Sequence, residues 1–145
     1  MNGDSIFDDK FFSGGFKYKR NDGKIFDLLD CATGIKSFAI LQMLLKNGFL
    51  GKDTMLVLDE PESHLHPQWI VEYANLIVLL QKQIGVKFFV ATHSSDLVSA
   101  VRYIAEKENC LKNVSFYLAE ENVDGKYSYR DLYTDIEPIF ESFNK

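Results

Sequence analysis

The chain has 145 residues, 46% of them hydrophobic and 26% charged, with a formal net charge of −5. That is enough apolar material for one globular core, and an aromatic content of 14% excludes a chain that is mainly disordered. No apolar run approaches the ~20 residues that span a bilayer, Met1 to Ser5 lacks the pattern of a secretory signal, and the acidic balance argues against DNA binding through the whole surface.

Two cysteines, Cys31 and Cys110, are too few for a disulfide framework, and the expectation is a cytoplasmic protein with reduced thiols. Residues 1–15 read as a poorly specified lead-in. Phe16 to Lys19 and Lys24 to Leu28 alternate around Asn21-Asp22-Gly23, which predicts a β-hairpin with an Asp-Gly turn. Ile35, Phe38, Leu41 and Leu45 then recur at helical spacing until Asn47-Gly48. Thr54 to Leu58 is a continuous apolar run and predicts a strand buried on both faces, as in a parallel sheet, where a charge at Val57 would unfold the domain. Pro67 opens the next helix, Ile70, Tyr73, Ala74, Ile77 and Leu80 form its buried stripe, and Gly85 closes it. A second strand is predicted over 86–91, a helix over 96–106, strands over 114–118 and 127–133, and a helix over 136–143.

Two of these strands end in chemically capable residues, and open α/β sheets place ligands at the carboxyl ends of their strands. The first ends in Asp59-Glu60. One carboxylate there can hold Mg²⁺ through water, since the ion prefers oxygen ligands and keeps much of its hydration; the other can deprotonate an attacking water. The blander reading is a strand that ends in a charged turn. The second strand ends at Thr92-His93-Ser94, and parallel pairing would bring His93 to the same edge as Glu60. There the imidazole can bond a phosphate oxygen or polarise a water, although a lone histidine is more often a cap. Cys31 to Ser37 sits at a helix mouth, where free N–H groups and the helix dipole favour anions; Thr33 adds a hydroxyl, Gly34 a close backbone approach and Lys36 a charge.

Together these elements, in this order, resemble the C-terminal half of an ABC-type ATPase domain. The resemblance is narrower still to the soluble AAA-type, SMC-like branch found in DNA-repair, chromosome-maintenance and phage-defence ATPases. Leu56 to Pro61 is similar to a Walker B strand, Glu62-Ser63-His64-Leu65-His66-Pro67 to a D-loop, Thr92-His93-Ser94 to a switch histidine, and Thr33-Gly34-Ile35-Lys36 to a signature motif. The resemblance covers roughly residues 31–100.

It implies an α/β, three-layer P-loop NTPase-like partial domain over residues 16–145, with a mostly parallel sheet and an N-terminal antiparallel hairpin. It also implies ATP and Mg²⁺ as cofactors, with Asp59 in the metal shell, Glu60 as general base and His93 as γ-phosphate sensor. Ser63 would lie at a dimer interface, and Thr33, Gly34 and Lys36 would cap ATP held by a head-to-tail second copy or paired ATPase domain. Ala32 and Ile35 depart from the family's usual signature residues. No Gly-x-x-x-x-Gly-Lys-Ser/Thr occurs in the chain, so the expectation is a half-domain that is inactive alone and needs an N-terminal half carrying the phosphate cradle.

Weaker readings remain. His64, His66 and His93 could ligate zinc. The basic hairpin Lys17, Lys19, Arg20 and Lys24, with Phe16, Tyr18 and Phe26 between, could touch nucleic acid. The alternative function is a non-catalytic interaction module, a degenerate half-ATPase that binds a partner protein or DNA.

Overall fold

A computed structural model describes residues 3–8, 15–20, 22–27 and 33–143 of the chain. Its elements in chain order are β1 (Gly3–Asp8), β2 (Gly15–Arg20), β3 (Ile25–Asp27), α1 (Thr33–Lys46), β4 (Met55–Asp59), α2 (Pro67–Ile84), β5 (Lys87–Ala91), α3 (Ser95–Lys107), β6 (Phe116–Glu121), β7 (Tyr127–Tyr133) and α4 (Glu137–Phe143). The fold is α/β.

β1, β2 and β3 form an antiparallel sheet in that order. The β2–β3 hairpin is the one predicted, and Gly23 sits at φ 84 in its turn. β1 is a departure: residues 3–8 lie within the expected lead-in, yet they pair along β2 from Gly3↔Arg20 to Asp8↔Gly15. The segment lacks the strict alternation that marks a strand in sequence, and its partner strand supplies the order instead.

β4 and β5 pair in parallel, Met55↔Lys87 through Asp59↔Ala91. A short loop follows β4, and then α2 returns the chain antiparallel to both strands. Pro67 occupies the first turn of α2, and His66 caps it by accepting the Gln68 N–H on Nδ1 at 3.4 Å. Gly85 ends α2 in the left-handed conformation at φ 83. A Cβ there would meet the Lys52 Cβ at 3.2 Å, so both the backbone and the space favour glycine.

The core lies on one side of β4–β5. Leu41 of α1 and Tyr73 and Ile77 of α2 pack on Leu56, Leu58, Phe88 and Val90. Phe38 joins them edge-on to Tyr73 and Trp69, with ring centroids 5.1 and 6.0 Å away. Leu50, Leu80 and Val86 extend the same layer. Behind α2, Ile70, Ala74 and Val78 meet Leu97, Ala100 and Ile104 of α3. Val98, Phe116, Leu132 and Ile139 then fasten the β6–β7 hairpin and α4 to α3.

The other side of β4–β5 corrects the expectation of a strand buried on both faces. Val57 is 69% exposed, Met55 61% and Phe89 53%. Both strands alternate between exposed and half-buried positions along their length. Among the described residues α1 and α2 cover one face, and nothing covers the second. Val57 is therefore not a core position in this chain.

Candidate functional site

Parallel pairing of β4 with β5 brings the two capable strand ends together. The ladder continues one step beyond the strands, because the Glu60 N–H donates to the Ala91 carbonyl at 2.8 Å. Glu60 then leaves the strand with φ 42, a left-handed conformation that a non-glycine residue adopts only when its surroundings enforce it. Its own carbonyl accepts from the Ser63 N–H at 2.9 Å, and its Oε2 accepts from the Ser63 hydroxyl at 3.2 Å. The Leu65 N–H closes the turn on the Glu62 carbonyl at 2.9 Å, and His64 takes φ 64. Two left-handed non-glycine residues within one short turn thus aim Glu60 across the end of β5.

There it meets His93. The imidazole Nε2 lies 3.4 Å from Glu60 Oε1, and the side chains are 87% and 50% exposed respectively. Asp59, at the end of β4, is exposed beside them. The arrangement can hold a water alongside, within reach of both a carboxylate and an imidazole, next to a carboxylate that can bind a hydrated cation.

Glu62 and Thr92 belong to the same edge; the sequence names them only within the D-loop-like and switch-histidine-like stretches and gives neither a role of its own. The Thr92 hydroxyl donates to Glu62 Oε1 in a short hydrogen bond and accepts from the Ser94 N–H at 2.9 Å. Ser94 in turn caps α3 by accepting the Leu97 N–H on Oγ at 3.2 Å. The other Glu62 oxygen, Oε2, is buried with no hydrogen-bond partner among the described residues. The Glu62 carboxylate also faces Tyr73, whose hydroxyl is pushed up to about 12, first by burial and second by that negative charge.

The remaining expected site residues divide. Ser63 joins the edge through Glu60. Thr33 and Gly34 open α1, but the Thr33 side chain lies outside the described residues, as do Cys31 and most of the basic hairpin's side chains. Lys36 lies in the first turns of α1 and is half-buried. From the next residue, Ser37, a groove of about 270 Å³ runs past Ile40 and Leu58 to Asp59 and Pro61, so the mouth of α1 and the end of β4 share one surface.

Zinc ligation by histidine finds no support. His66 spends Nδ1 on the α2 cap, and no group of three or more metal-ligating side chains occurs among the described residues. A single exposed Asp59 fits a cation bound through its waters, as Mg²⁺ is, and not a closed protein cage. No helix among the described residues is long and apolar enough to cross a membrane.

Comparison with known proteins agrees with this architecture. Over 44 residues, 30% of this chain, the sequence is 41% identical to the energy-coupling factor transporter ATP-binding protein EcfA2 of Clostridium perfringens. The match to EcfA3 of another strain of that species has the same identity and extent. In both cases it spans only 15% of the relative's length. A structure solved in work on ATP-driven dimerization and DNA-stimulated activation of SMC ATPases superposes with a TM-score of 0.63 at 17% identity, over 99% of this chain and 83% of that one. The Smc head domain with coiled coil and joint from Pyrococcus yayanosii gives 0.68 at 16% identity, over 99% of this chain and 26% of that one. The fold is accordingly that of an SMC-type ATPase head. The family model described as "AAA domain, putative AbiEii toxin, Type IV TA system" matches residues 1–99, and the chain belongs to that family of ATPase domains.

Proposed function

We propose that this chain is the hydrolytic half of an ABC/SMC-type ATPase. Asp59 takes the hydrated Mg²⁺ that accompanies ATP, and when bound that ion supplies charge neutralisation for the phosphate oxygens. Glu60 accepts the proton of the attacking water. His93, across from it, orients that water and donates a hydrogen bond to the terminal phosphate. Phosphoryl transfer asks mainly for positioning and charge stabilisation, which is what a carboxylate and an imidazole held at two adjacent strand ends provide. The observation that carries the reading is the 3.4 Å approach of His93 Nε2 to Glu60 Oε1, made across parallel strands whose next residue back is Asp59.

The phosphate cradle comes from elsewhere, since no Walker A pattern exists in these 145 residues. An N-terminal ATPase half brings it, packing on the exposed Met55, Val57 and Phe89 face and on the edges of β4 and β5 that no strand among the described residues pairs with. Thr33, Gly34, Lys36 and Ser63 face the nucleotide of a second ATPase domain in a head-to-tail pair. The chain works in the cytoplasm, and a DNA or protein effector is the partner that ATP-dependent closure of the pair would move.

The test is steady-state ATP hydrolysis by the assembled ATPase. Glu60→Gln is expected to lower kcat by about 10²- to 10⁴-fold, the usual worth of a general base, while ATP binding persists. A wild-type rate in that variant removes the assignment. The 145-residue chain alone is expected to give no saturable heat with Mg–ATP. Saturable binding lost in Asp59→Asn would mean that the chain holds its own cradle.

The exposed apolar face also favours a second reading, a non-catalytic module that docks on a partner. The two separate on Glu60→Gln, which a pure docking module would not register.

A further inference from the structure

Among the described residues, neither packing nor a side-chain bond other than the one to Glu60 fixes the imidazole of His93, which is 87% exposed. Its placement is therefore set by its backbone, and the residues on either side of it are both pinned. Ser94 is held as the cap of α3 and by its N–H on Thr92 Oγ1 at 2.9 Å. Thr92 is held by the donated hydrogen bond to Glu62 Oε1. Glu62 sits in the turn that Glu60 opens and whose carbonyl at residue 62 takes the Leu65 N–H. One hydrogen-bonded path thus runs from the start of α3, through Thr92 and Glu62, to the turn after β4. A hydroxyl that accepts one bond donates the next more strongly, so the links reinforce each other. Keeping Glu62 Oε2 buried without a partner carries a cost of its own. Side chains kept in place at such a cost are expected where they serve geometry and not stability.

We propose that Glu62 and Thr92 are positioning residues that lock the turn after β4 to the end of β5 and so hold His93 against Glu60. The role rests on the hydrolytic reading above, but the contact itself can be measured without nucleotide.

The experiment is nuclear Overhauser spectroscopy on the full 145-residue chain, reading the cross-peaks between the His93 ring protons and the Glu60 side chain. Wild type and Thr92→Ser are expected to show them. Thr92→Val, which keeps shape and charge but loses the hydroxyl, is expected to lose them, with the amide shifts of Tyr73 and Ile77 unchanged. If Thr92→Val does not fold, Glu62→Ala serves in its place, because it breaks the cross-loop link and leaves the Thr92–Ser94 bond intact. Glu62→Gln, whose amide oxygen can still accept from Thr92, is the rescue variant. Wild-type cross-peaks in Thr92→Val or Glu62→Ala overturn the proposal, and so does their absence from the wild type.

In the assembled ATPase, Glu62→Ala is expected to lower kcat by up to about 100-fold, the scale of a small misplacement of catalytic groups, with KM for Mg–ATP unchanged and Glu62→Gln restoring most of the rate. Unchanged kcat in Glu62→Ala, or an equal fall in Glu62→Gln, overturns the tie. A wild-type assembly that does not hydrolyse ATP removes the functional reading instead, and the cross-peaks then decide the tie alone.

Discussion

The two faces of the β4–β5 pair are made of similar residues and live in different environments. Leu56, Leu58, Phe88 and Val90 lie against Leu41, Tyr73 and Ile77. Met55, Val57 and Phe89, their immediate neighbours in sequence, are more than half exposed. Adjacent side chains on a strand point to opposite faces, so a continuous apolar run means that both faces were selected for burial. Only one finds its cover among the described residues. The difference teaches that apolar character in a strand encodes the complete assembly, whereas burial reports only what has been assembled.

The covered face is where substitution does most harm. Leu56 packs in two neighbouring clusters, against Tyr73 and Ile77 on one side and Leu80 and Val86 on the other. Leu56→Asp would place an unpaired carboxylate between them, at a cost of several kcal/mol, on the order of a small domain's whole stability. Loss of the cooperative thermal transition, read by circular dichroism, is the expected result. A folded Leu56→Asp variant would mean that the two faces are not as unlike as their exposures indicate.

Tyr73 sharpens the contrast on a smaller scale. It is 2% exposed beneath the covered face, and its hydroxyl is pushed up to about 12 from 10.0 by burial and then by Glu62. Below about pH 10 the tyrosine is protonated whether the chain is folded or not, and the folded state carries no penalty. Between about pH 10 and pH 12 the unfolded chain ionises while the folded one holds its proton, so stability falls as pH rises through that window. The loss is roughly 3 kcal/mol when complete, by the usual conversion of about 1.4 kcal/mol per unit. Urea midpoints measured at rising alkaline pH are expected to drop in the wild type and to drop less in Tyr73→Phe. Equal slopes in the two proteins would show that Tyr73 ionises freely and that its side of the sheet is more open than described.

Much of this was legible in the chain. Pro67 and Gly85 bracket α2, and Ile70, Tyr73, Ala74, Ile77 and Leu80 are buried as their spacing predicts, because capping and helical period are local properties. The meeting of Glu60 with His93 was also readable, since parallel pairing aligns strand ends that both follow apolar runs. β1 was not readable, because its order comes from β2 and not from its own pattern. Glu62 and Thr92 were hidden for a related reason. Nothing in a turn glutamate or a threonine before a histidine says that they touch, and only the register Asp59↔Ala91 brings them within reach. The open face was misread because an apolar strand looks the same in sequence whether or not its cover is present.

Val57→Asp is the smallest effect in this chain and the most informative. At 69% exposure a carboxylate there stays hydrated, and the fold gives up no packing on the covered side. Surface substitutions of this kind change stability by about 0.5 kcal/mol or less, so the melting transition of the 145-residue chain is expected to stay where it is. The same carboxylate would be driven into an apolar interface once an N-terminal ATPase half packs on Met55, Val57 and Phe89, and there it would carry the full cost of an unpaired buried charge. Association of the two halves, followed by titration calorimetry, is therefore expected to fail in Val57→Asp while both halves remain folded. Destabilisation of the chain by itself would put Val57 in a core that the exposures do not describe. Undiminished association would send the second half to a different surface and leave the apolar run of β4 without its explanation.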